Sequence, residues 1–354
     1  MSPRVAQGLA AHRRLLQRER LLPAPGQVLV SLGQQVGPDD VVGRTVLPSQ
    51  PFALPVPGLE EGAADPSVRL VKQVGDVLAA GEVVAVKKGF LGRGKPICRS
   101  AEEGTLTAIV AKKGMVIVTP PPSAVELRAG VSGQVVHLVP EYGAVLEFAA
   151  VYAQGLAMVG GETWGPLRAG AAEPDGPLLV PEDAGDCVLF AGRADDKALA
   201  EASKAGVRGL VLGSLPAETW LRLAAGQFPG PTVMLVEAVG CVPLGERTFR
   251  ALEAAAGCTA LLSPGPGRWR PEARPEIVVS LPEAGSADQA EPQWRPGAEV
   301  RLAAGPLVGR WGRLASADPL PRRLESGVVC LTAEVILAGG QQTVVPLANL
   351  ELVG

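Results

Sequence analysis

The residues from Gly104 to Val118 read GTLTAIVAKKGMVIV, and those from Gly133 to Glu147 read GQVVHLVPEYGAVLE. The two stretches align without a gap at an offset of 29 residues, and glycines match at both the first and the eleventh position. Short runs of β-branched residues that are punctuated by glycine are typical of β-strands joined by tight turns. The repeat therefore predicts two β-hairpins in equivalent structural positions.

A second repeat lies upstream, where SLGQQVGPDDVVGR from Ser31 aligns with QVGDVLAAGEVVAV from Gln73 at an offset of 42 residues. From about Gly26 to Leu167, short apolar runs alternate with Gly, Pro and acidic turns, which predicts a β-rich N-terminal half. The first 25 residues are locally basic, and they predict a short helix or an extended arm.

The segment around Gly75 resembles the half-motif of the biotinyl/lipoyl-like barrel-sandwich hybrid, and Gly104-Thr105-Leu106 resembles the strand that opens its second half. The matching residues of the half-motif are Val71, Gly75, Asp76, Gly81, Glu82 and Ala85. The resemblance covers about residues 26 to 120 and implies that fold. Carriers of this family modify a lysine on the central hairpin, but VKKGFLGRGKPIC lacks the flanking pattern of these carriers. We expect solvated lysines (Lys87, Lys88, Lys112, Lys113) and no bound cofactor.

The same hairpin contains GFLGRGK, residues 89 to 95, which fits the spacing of a phosphate-binding loop. Such a loop also needs Ser or Thr at the next position and a following helix, whose N-terminus meets the phosphates. Position 96 is proline, and ICRSAEEG does not predict a helix. We therefore expect a basic hairpin tip, from which Arg93, Lys95 and Arg99 could meet an acidic partner.

The composition limits the classes of function. A chain of 354 residues with 47% hydrophobic and 19% charged residues is that of a folded protein of two or three domains. A net charge of −3 gives no general attraction to DNA or to anionic membranes. Apolar runs are too short to span a bilayer, the N-terminus does not resemble a signal peptide, and the five cysteines form no paired motif. We expect a cytoplasmic protein.

After about Gly170 the pattern changes to apolar runs that alternate with amphipathic helices, which is typical of a parallel α/β sheet. Ligands of such sheets bind beyond the carboxyl ends of the strands. The predicted ligand-binding residues at those ends are Gly192, Arg193, Asp195, Gly213, Ser214, Glu237 and Gly240. Asp195 also fits a helix cap. Glu237 interrupts an apolar strand, so its side chain turns outward, makes a buried structural bond, or takes part in a site.

Near the C-terminus, GAEVRLAAGPLVGRWGRLASA resembles the KOW motif of NusG-type transcription factors and ribosomal proteins. The matching residues are Gly297, Val300, Gly305, Pro306, Gly309, Gly312 and Leu314. The resemblance implies an SH3-like barrel, and Gly309 and Gly312 would permit sharp backbone bends. The candidate residues for binding RNA or a protein partner are Arg301, Arg310, Trp311 and Arg313.

The sequence as a whole predicts a multidomain α+β protein. A basic arm (residues 1–25) precedes a β-rich barrel-sandwich region (26–170), a small α/β parallel-sheet domain (178–283) and a KOW-type SH3-like barrel (295–354). Two histidines that lie far apart argue against a metal cluster or a catalytic triad. The interpretation is a bacterial-type, non-enzymatic adaptor that binds protein partners. The alternatives are an RNA- or ribosome-associated factor, and an enzyme-accessory protein that binds a small molecule in the α/β cleft.

Overall fold

The structure is a computed structural model that describes residues 6–7, 12–61, 64–88, 94–227, 230–265, 274–282, 294–316 and 318–353. Within these residues it contains many short strands and three α-helices, so the expected β-rich α+β character is confirmed. The strands of the first half are β1 (Ala6–Gln7), β2 (His12–Leu21), β3 (Gln27–Val28), β4 (Gln35–Val36), β5 (Val41–Leu47), β6 (Phe52–Pro55), β7 (Val68–Leu70), β8 (Val77–Leu78), β9 (Val83–Lys88), β10 (Gly94–Arg99), β11 (Gly104–Val110), β12 (Met115–Thr119), β13 (Ser123–Arg128), β14 (Gly133–Val139) and β15 (Gly143–Gln154).

Strands β2 to β15 form two copies of one module. In the inner module, one sheet has the order β6-β12-β11-β8 and another has the order β10-β9-β7. In the outer module, β2 pairs with β15, β15 with β14 and β14 with β4, while β13, β5 and β3 form a separate sheet. Each strand of the inner module therefore has a counterpart in the outer one. The basic N-terminal segment contributes β2 to this arrangement, so from His12 onward it is extended rather than helical.

Individual hydrogen bonds repeat between the two modules. The amide of Gly33 donates to the carbonyl of Val135 at 2.8 Å, and the amide of Gly75 donates to the carbonyl of Leu106 at 2.8 Å. The carboxylate of Asp40 accepts from the amide three residues earlier at 2.7 Å, as that of Glu82 does at 2.8 Å. The prediction that the repeats occupy equivalent positions is confirmed.

The hairpins of the first repeat differ in the length of their turns. Val110 pairs with Met115 across the β11–β12 turn, whereas Val139 pairs with Gly143 across the β14–β15 turn. The second turn is shorter by one residue, so the gapless sequence alignment matches the first strands correctly and shifts the second strands by one position. Gly114 has a φ of 60°, and in the outer hairpin the residue with this conformation is Glu141, with a φ of 64°.

The inner module is inserted into a hairpin of the outer module. In the inner module, β9 and β10 are joined directly by a hairpin in which Lys88 pairs with Gly94. The equivalent strands of the outer module are β5 and β13, which pair up to Leu47 and Ser123. The whole inner module lies between these two residues. The expected basic hairpin tip, GFLGRGK at residues 89–95, falls largely outside the described residues, and its last two residues belong to strand β10.

The second half begins with an α/β unit, in which the expected alternation of strands and helices is confirmed. Its elements are β16 (Ala157–Val159), β17 (Thr163–Ala169), β18 (Val188–Arg193), α1 (Asp196–Lys204), β19 (Gly209–Leu215), α2 (Ala217–Ala224), β20 (Thr232–Val239), α3 (Glu246–Ala254), β21 (Thr259–Ser263) and β22 (Glu276–Ser280). Strands β17, β18, β19 and β20 are parallel. β21 and β22 are antiparallel, and β22 pairs with β15, so a single sheet joins this unit to the outer module.

A curled C-terminal sheet completes the described structure. It contains β23 (Glu299–Leu302), β24 (Trp311–Leu314), β25 (Leu320–Arg323), β26 (Val329–Leu337), β27 (Gln342–Pro346) and β28 (Leu350–Val353), with a 3-10 turn at Leu347–Asn349. The sheet order is β1-β28-β23-β24-β26-β25, and β27 also pairs with β26. Its core is separate from that of the α/β unit and is built from alternate residues such as Val300, Leu314 and Val335.

The two glycines singled out in this sheet act in different ways. Gly309 has a φ of 82°, a left-handed conformation that strains any residue with a Cβ. Gly312 does not have a positive φ. A Cβ on Gly312 would lie 2.5 Å from Cγ1 of Val335 and 2.7 Å from the carbonyl oxygen of Ile336. Glycine is needed at position 312 because β26 approaches closely, and not because the backbone bends.

Candidate functional site

Two neighbouring segments of the chain pack against the predicted ligand site at the carboxyl ends of the parallel strands. The residues do lie together at the ends of β18, β19 and β20. However, a Cβ on Gly192 would be 2.3 Å from the carbonyl oxygen of Pro174, and one on Gly213 would be 2.3 Å from the amide of Leu244. The segments around Pro174 and Leu244 therefore pack directly against Gly192 and Gly213.

Two polar residues of this predicted site make structural hydrogen bonds. Asp195 caps helix α1, since its carboxylate accepts from the amide of Ala198 at 2.8 Å. The hydroxyl of Ser214 donates to the carbonyl of Val242 at 2.7 Å and accepts from the amide of the same residue at 2.8 Å. These bonds fix the helix and the covering loop. Arg193 is exposed and Gly240 is partly exposed at the rim of this edge.

Glu237 makes a buried structural bond, which is one of the three alternatives drawn from the sequence. It is 6% exposed, accepts from the amide of Gly245 at 2.9 Å and forms an ion pair with Arg301. Arg301 also donates to Glu351 at 3.0 Å, and Glu351 pairs with Arg274. These four side chains, called the buried ionic chain below, connect the α/β unit to the C-terminal sheet.

The location of Arg301 bears on its expected contact with RNA or a protein partner. Its side chain is 2% exposed, so the guanidinium does not reach the surface. Burial lowers the pKa of Arg301, while the nearby carboxylate of Glu351 acts in the opposite direction. Arg301 is therefore part of the junction between the two units. The sequence held a signal for this pairing, because Glu237 and Arg301 each place a charge inside an apolar strand.

A cleft lies between helix α3 and the C-terminal sheet, next to the buried ionic chain. It has a volume of about 410 Å³, and its charged and aromatic lining comes from Arg247 on α3 and from Glu299, Trp311 and Arg313 on β23 and β24. The guanidinium carbon of Arg247 lies 5.7 Å from the centre of the Trp311 ring, within the range of a cation–π contact. The cleft thus brings together two of the four predicted partner-binding residues, Trp311 and Arg313.

Two guanidinium groups in the cleft share one carboxylate. Nη2 of Arg247 lies 2.5 Å from Glu299, and Nη2 of Arg313 lies 3.4 Å from the other oxygen of the same carboxylate. Glu246 also lines the cleft, but its carboxylate pairs with Arg250 at 2.9 Å. Arg310, the remaining predicted partner-binding residue, is exposed and directly precedes strand β24, which begins at Trp311.

Arg247 is the functional candidate that sequence reasoning missed. It lies on the solvated side of a short amphipathic helix, where a single arginine is unremarkable. Only the packing of α3 against the C-terminal sheet places it over Trp311 and beside Glu299. Because that packing joins residues far apart in the chain, no local pattern could have indicated it.

A second cavity, of about 490 Å³, lies at the amino ends of the parallel strands, opposite the predicted edge. Its lining includes Glu162, Trp164, Arg208 and Thr232. The polar groups there are engaged within the protein: Arg208 pairs with Asp186 at 2.8 Å, and Glu162 pairs with Arg20 at 2.7 Å. Both charged side chains in the lining of this cavity, Glu162 and Arg208, are therefore already ion-paired within the protein.

Comparison with known proteins finds neither a matching family model nor a matching curated sequence.

Among the described residues, no group of three or more His, Cys, Asp and Glu side chains is arranged to hold a metal ion. Every helix in the described part of the chain is too short or too polar to cross a bilayer. All five cysteines are free thiols, and burial raises the pKa of Cys98.

Proposed function

We propose that the protein is a non-enzymatic adaptor that binds a protein partner, with the cleft between α3 and the C-terminal sheet as the contact surface. The observation that carries this proposal is the lining of the cleft. It combines an aromatic ring, exposed aliphatic surface at Ile336 and two arginines that share one carboxylate. Aromatic residues and arginine are the side chains most enriched in the central contacts of protein interfaces.

The proposal includes the modules expected from the sequence. A barrel-sandwich hybrid within residues 26–170 is supported by the nested pair of modules, and the SH3-like barrel within residues 295–354 by the curled sheet with its 3-10 turn before the last strand. The α/β domain within residues 178–283 connects them, since its sheet includes β15 of the outer module. Free cysteines favour a reducing compartment, and we propose a cytoplasmic location.

Affinity capture from native cells tests the adaptor proposal. The wild-type chain, Trp311→Ala and Arg313→Glu are used as baits, and Arg323→Glu is the matched control because Arg323 is exposed on β25 of the same sheet and does not line the cleft. We expect a set of proteins that the wild type and Arg323→Glu recover equally and that the two cleft variants recover at least tenfold less. Recovery of the same proteins in equal amounts by all four baits would contradict the proposal.

RNA binding is the second candidate, and the run of Arg310, Trp311 and Arg313 favours it. Arginines can neutralise phosphates, and a tryptophan can stack on a base. Against this, Glu246 and Glu299 line the same cleft and would repel phosphates. With about three phosphate contacts, a fall in RNA affinity of roughly 20-fold between 50 and 200 mM salt would support RNA binding over the adaptor.

The small-molecule alternative places a ligand at the carboxyl ends of the parallel strands, where the segments around Pro174 and Leu244 pack against Gly192 and Gly213. Thermal shift with a panel of metabolites tests it. A raised unfolding temperature with one compound would favour this alternative.

A further inference from the structure

We propose that two copies of this chain associate through strand β2, which pairs in antiparallel fashion with β2 of the second copy. The pairing joins the outer modules of both copies in one continuous sheet. This surface is separate from the cleft between α3 and the C-terminal sheet, so the inference does not depend on the proposed adaptor function. A dimer of this kind presents two clefts to its partners.

Strand β2 has a long edge that no other described strand occupies. It contains ten residues and, among the described strands, pairs only with β15. The other described strands at the margin of a sheet have at most six residues, as β10 and β13 do. Long unpaired edges are templates for a further strand, and proteins usually protect them with proline, bulges or charge. Residues 15–21 contain no proline, and the pairing of β2 with β15 has no bulge.

The backbone groups on this edge are free to pair. In an antiparallel ladder, every second residue exchanges hydrogen bonds with the residue opposite it. The amide of Leu22 donates to the carbonyl of Tyr142 at 2.7 Å, so the even-numbered residues of β2 bond to β15. The amides and carbonyls of the odd-numbered residues therefore point away from β15. From residue 15 onward these have no hydrogen-bond partner in the described part of the chain, and they belong to Leu15, Gln17, Glu19 and Leu21.

The side chains of these four residues complement each other across a two-fold axis. All four are exposed, Leu15 by 51% and Leu21 by 40%. In the register that places Leu15 opposite Leu21 of the second copy, Gln17 lies opposite Glu19 of the second copy, and the axis repeats both pairs. One N–H of the Gln17 amide donates to Glu147 at 2.7 Å, which leaves the second N–H for the carboxylate of Glu19. Leucines thus meet at both ends of the contact and hydrogen bonds form between them.

The neighbouring registers lack this complementarity. A shift of two residues in one direction places Gln17 opposite Gln17 and Leu15 opposite Glu19. The opposite shift places Glu19 opposite Glu19, and like charges directly opposite each other destabilise a sheet. On the other face of β2, Arg18 lies opposite Arg18 of the second copy. This charge is already matched within each chain, because Arg18 pairs with Glu276.

Sedimentation velocity of the full chain tests the inference. We expect a dimer at about 100 μM, as a dissociation constant in the micromolar range gives. Gln17→Pro removes an N–H that points away from β15, so it should weaken the dimer at least tenfold. Leu15→Lys should do the same, and Leu15→Lys with Leu21→Glu should restore the dimer, because the two new charges lie opposite each other only in this register. Leu32→Lys is the matched control, since Leu32 is 66% exposed outside β2, and it should change the dissociation constant less than twofold.

Hydrogen exchange at single-residue resolution gives a second readout that does not need a variant. The amides of Leu16 and Arg18 bond to β15, so we expect them to be protected in monomer and dimer alike. The amides of Gln17 and Glu19 should be protected only at concentrations where the dimer forms.

Four outcomes would overturn the inference. These are a monomer at all concentrations up to about 100 μM, equal losses in Gln17→Pro and Leu32→Lys, a double variant no more dimeric than Leu15→Lys, and amides of Gln17 and Glu19 that exchange equally fast in monomer and dimer. A dimer that Trp311→Ala abolishes and Gln17→Pro does not would place the contact in the cleft instead. The adaptor proposal is tested separately, because capture of partners by the cleft variants does not require β2.

Discussion

Replacing Arg301 by methionine should uncouple the C-terminal sheet from the α/β unit. The change removes the guanidinium that lies between Glu237 and Glu351, whose side chains are 4% and 1% exposed. Glu351 keeps Arg274 and Glu237 keeps the amide of Gly245, so neither carboxylate loses every partner. Removing one member of a buried ion pair costs about 3–5 kcal/mol when the remaining charge has no compensation, and the partners that remain here place the expected cost at the lower end, about 3 kcal/mol. We expect a loss of this size in the opening free energy of β23 and β28.

Hydrogen exchange measured by mass spectrometry can report this loss separately for each unit, which a single unfolding curve of a multidomain chain cannot. Arg313→Met is the control, since Arg313 is 68% exposed and should change the opening free energy by less than about 0.5 kcal/mol. The double variant Glu237→Leu with Arg301→Met should recover part of the loss, because it also removes one of the two buried carboxylates that Arg301 pairs with. A loss below about 1 kcal/mol in Arg301→Met, or a double variant less stable than the single one, would refute the reasoning.

Three further outcomes are expected. Gly312→Val should lower the opening free energy of the C-terminal sheet, measured by hydrogen exchange, by about 1–3 kcal/mol, because its side chain would overlap Val335. Gly309→Ala should cost about 1–2 kcal/mol through its positive φ alone. A neutral Gly312→Val would contradict the close approach of β26. The second outcome concerns Glu162. Burial alone would raise the pKa of this carboxylate, but the hydrogen bond and charge of Arg20, with the charge of Arg18, lower it below its ordinary value of 4.5. A lowered folded-state pKa gives stability that is present above pH 4.5 and is lost as the pH falls through the folded value. Thermal melts should therefore show Glu162→Gln to be less stable than the wild type at pH 7, with a smaller difference at pH 3.5, and a constant difference would exclude this linkage. Intact mass of the protein from its native source should show no added biotin or lipoyl group, and either added mass would overturn the expectation from the hairpin sequence.

Local patterns predicted the elements of this protein well. Amphipathic periodicity and strand-like runs in residues 178–283 indicated α1, α2, α3 and the parallel strands, because helix and strand signals depend on near neighbours in the chain. The two offsets also indicated the duplication. They could not indicate the nesting. The sequence alone does not show whether the segment from Ser31 pairs with Gly104–Val118 or with Gly133–Glu147. The choice between those partners is made by tertiary contacts.

The candidate site was predicted less well, for a related reason. Trp311 and Arg313 were identified because a basic and aromatic stretch is visible in the sequence, and the structure places both in the cleft. Arg301 belongs to the same stretch, but its strand position turns it towards Glu237. The covering of Gly192 and Gly213 depends on how two loops pack over the strand ends, and loop packing leaves no periodic signal.

The insertion of one module into the other has a consequence for the order of folding. The outer strands β5 and β13 are separated by 75 residues, whereas their inner counterparts β9 and β10 are separated by five. Closing the longer loop as an unstructured chain would cost about 2.4 kcal/mol more than closing the shorter one. Once the inner module has folded, its ends are held near each other and most of this cost disappears. The inner module should therefore form early and bring the outer strands together. The rate of a slow step in refolding should then depend on the stability of the inner module and not on the stability of β5 and β13.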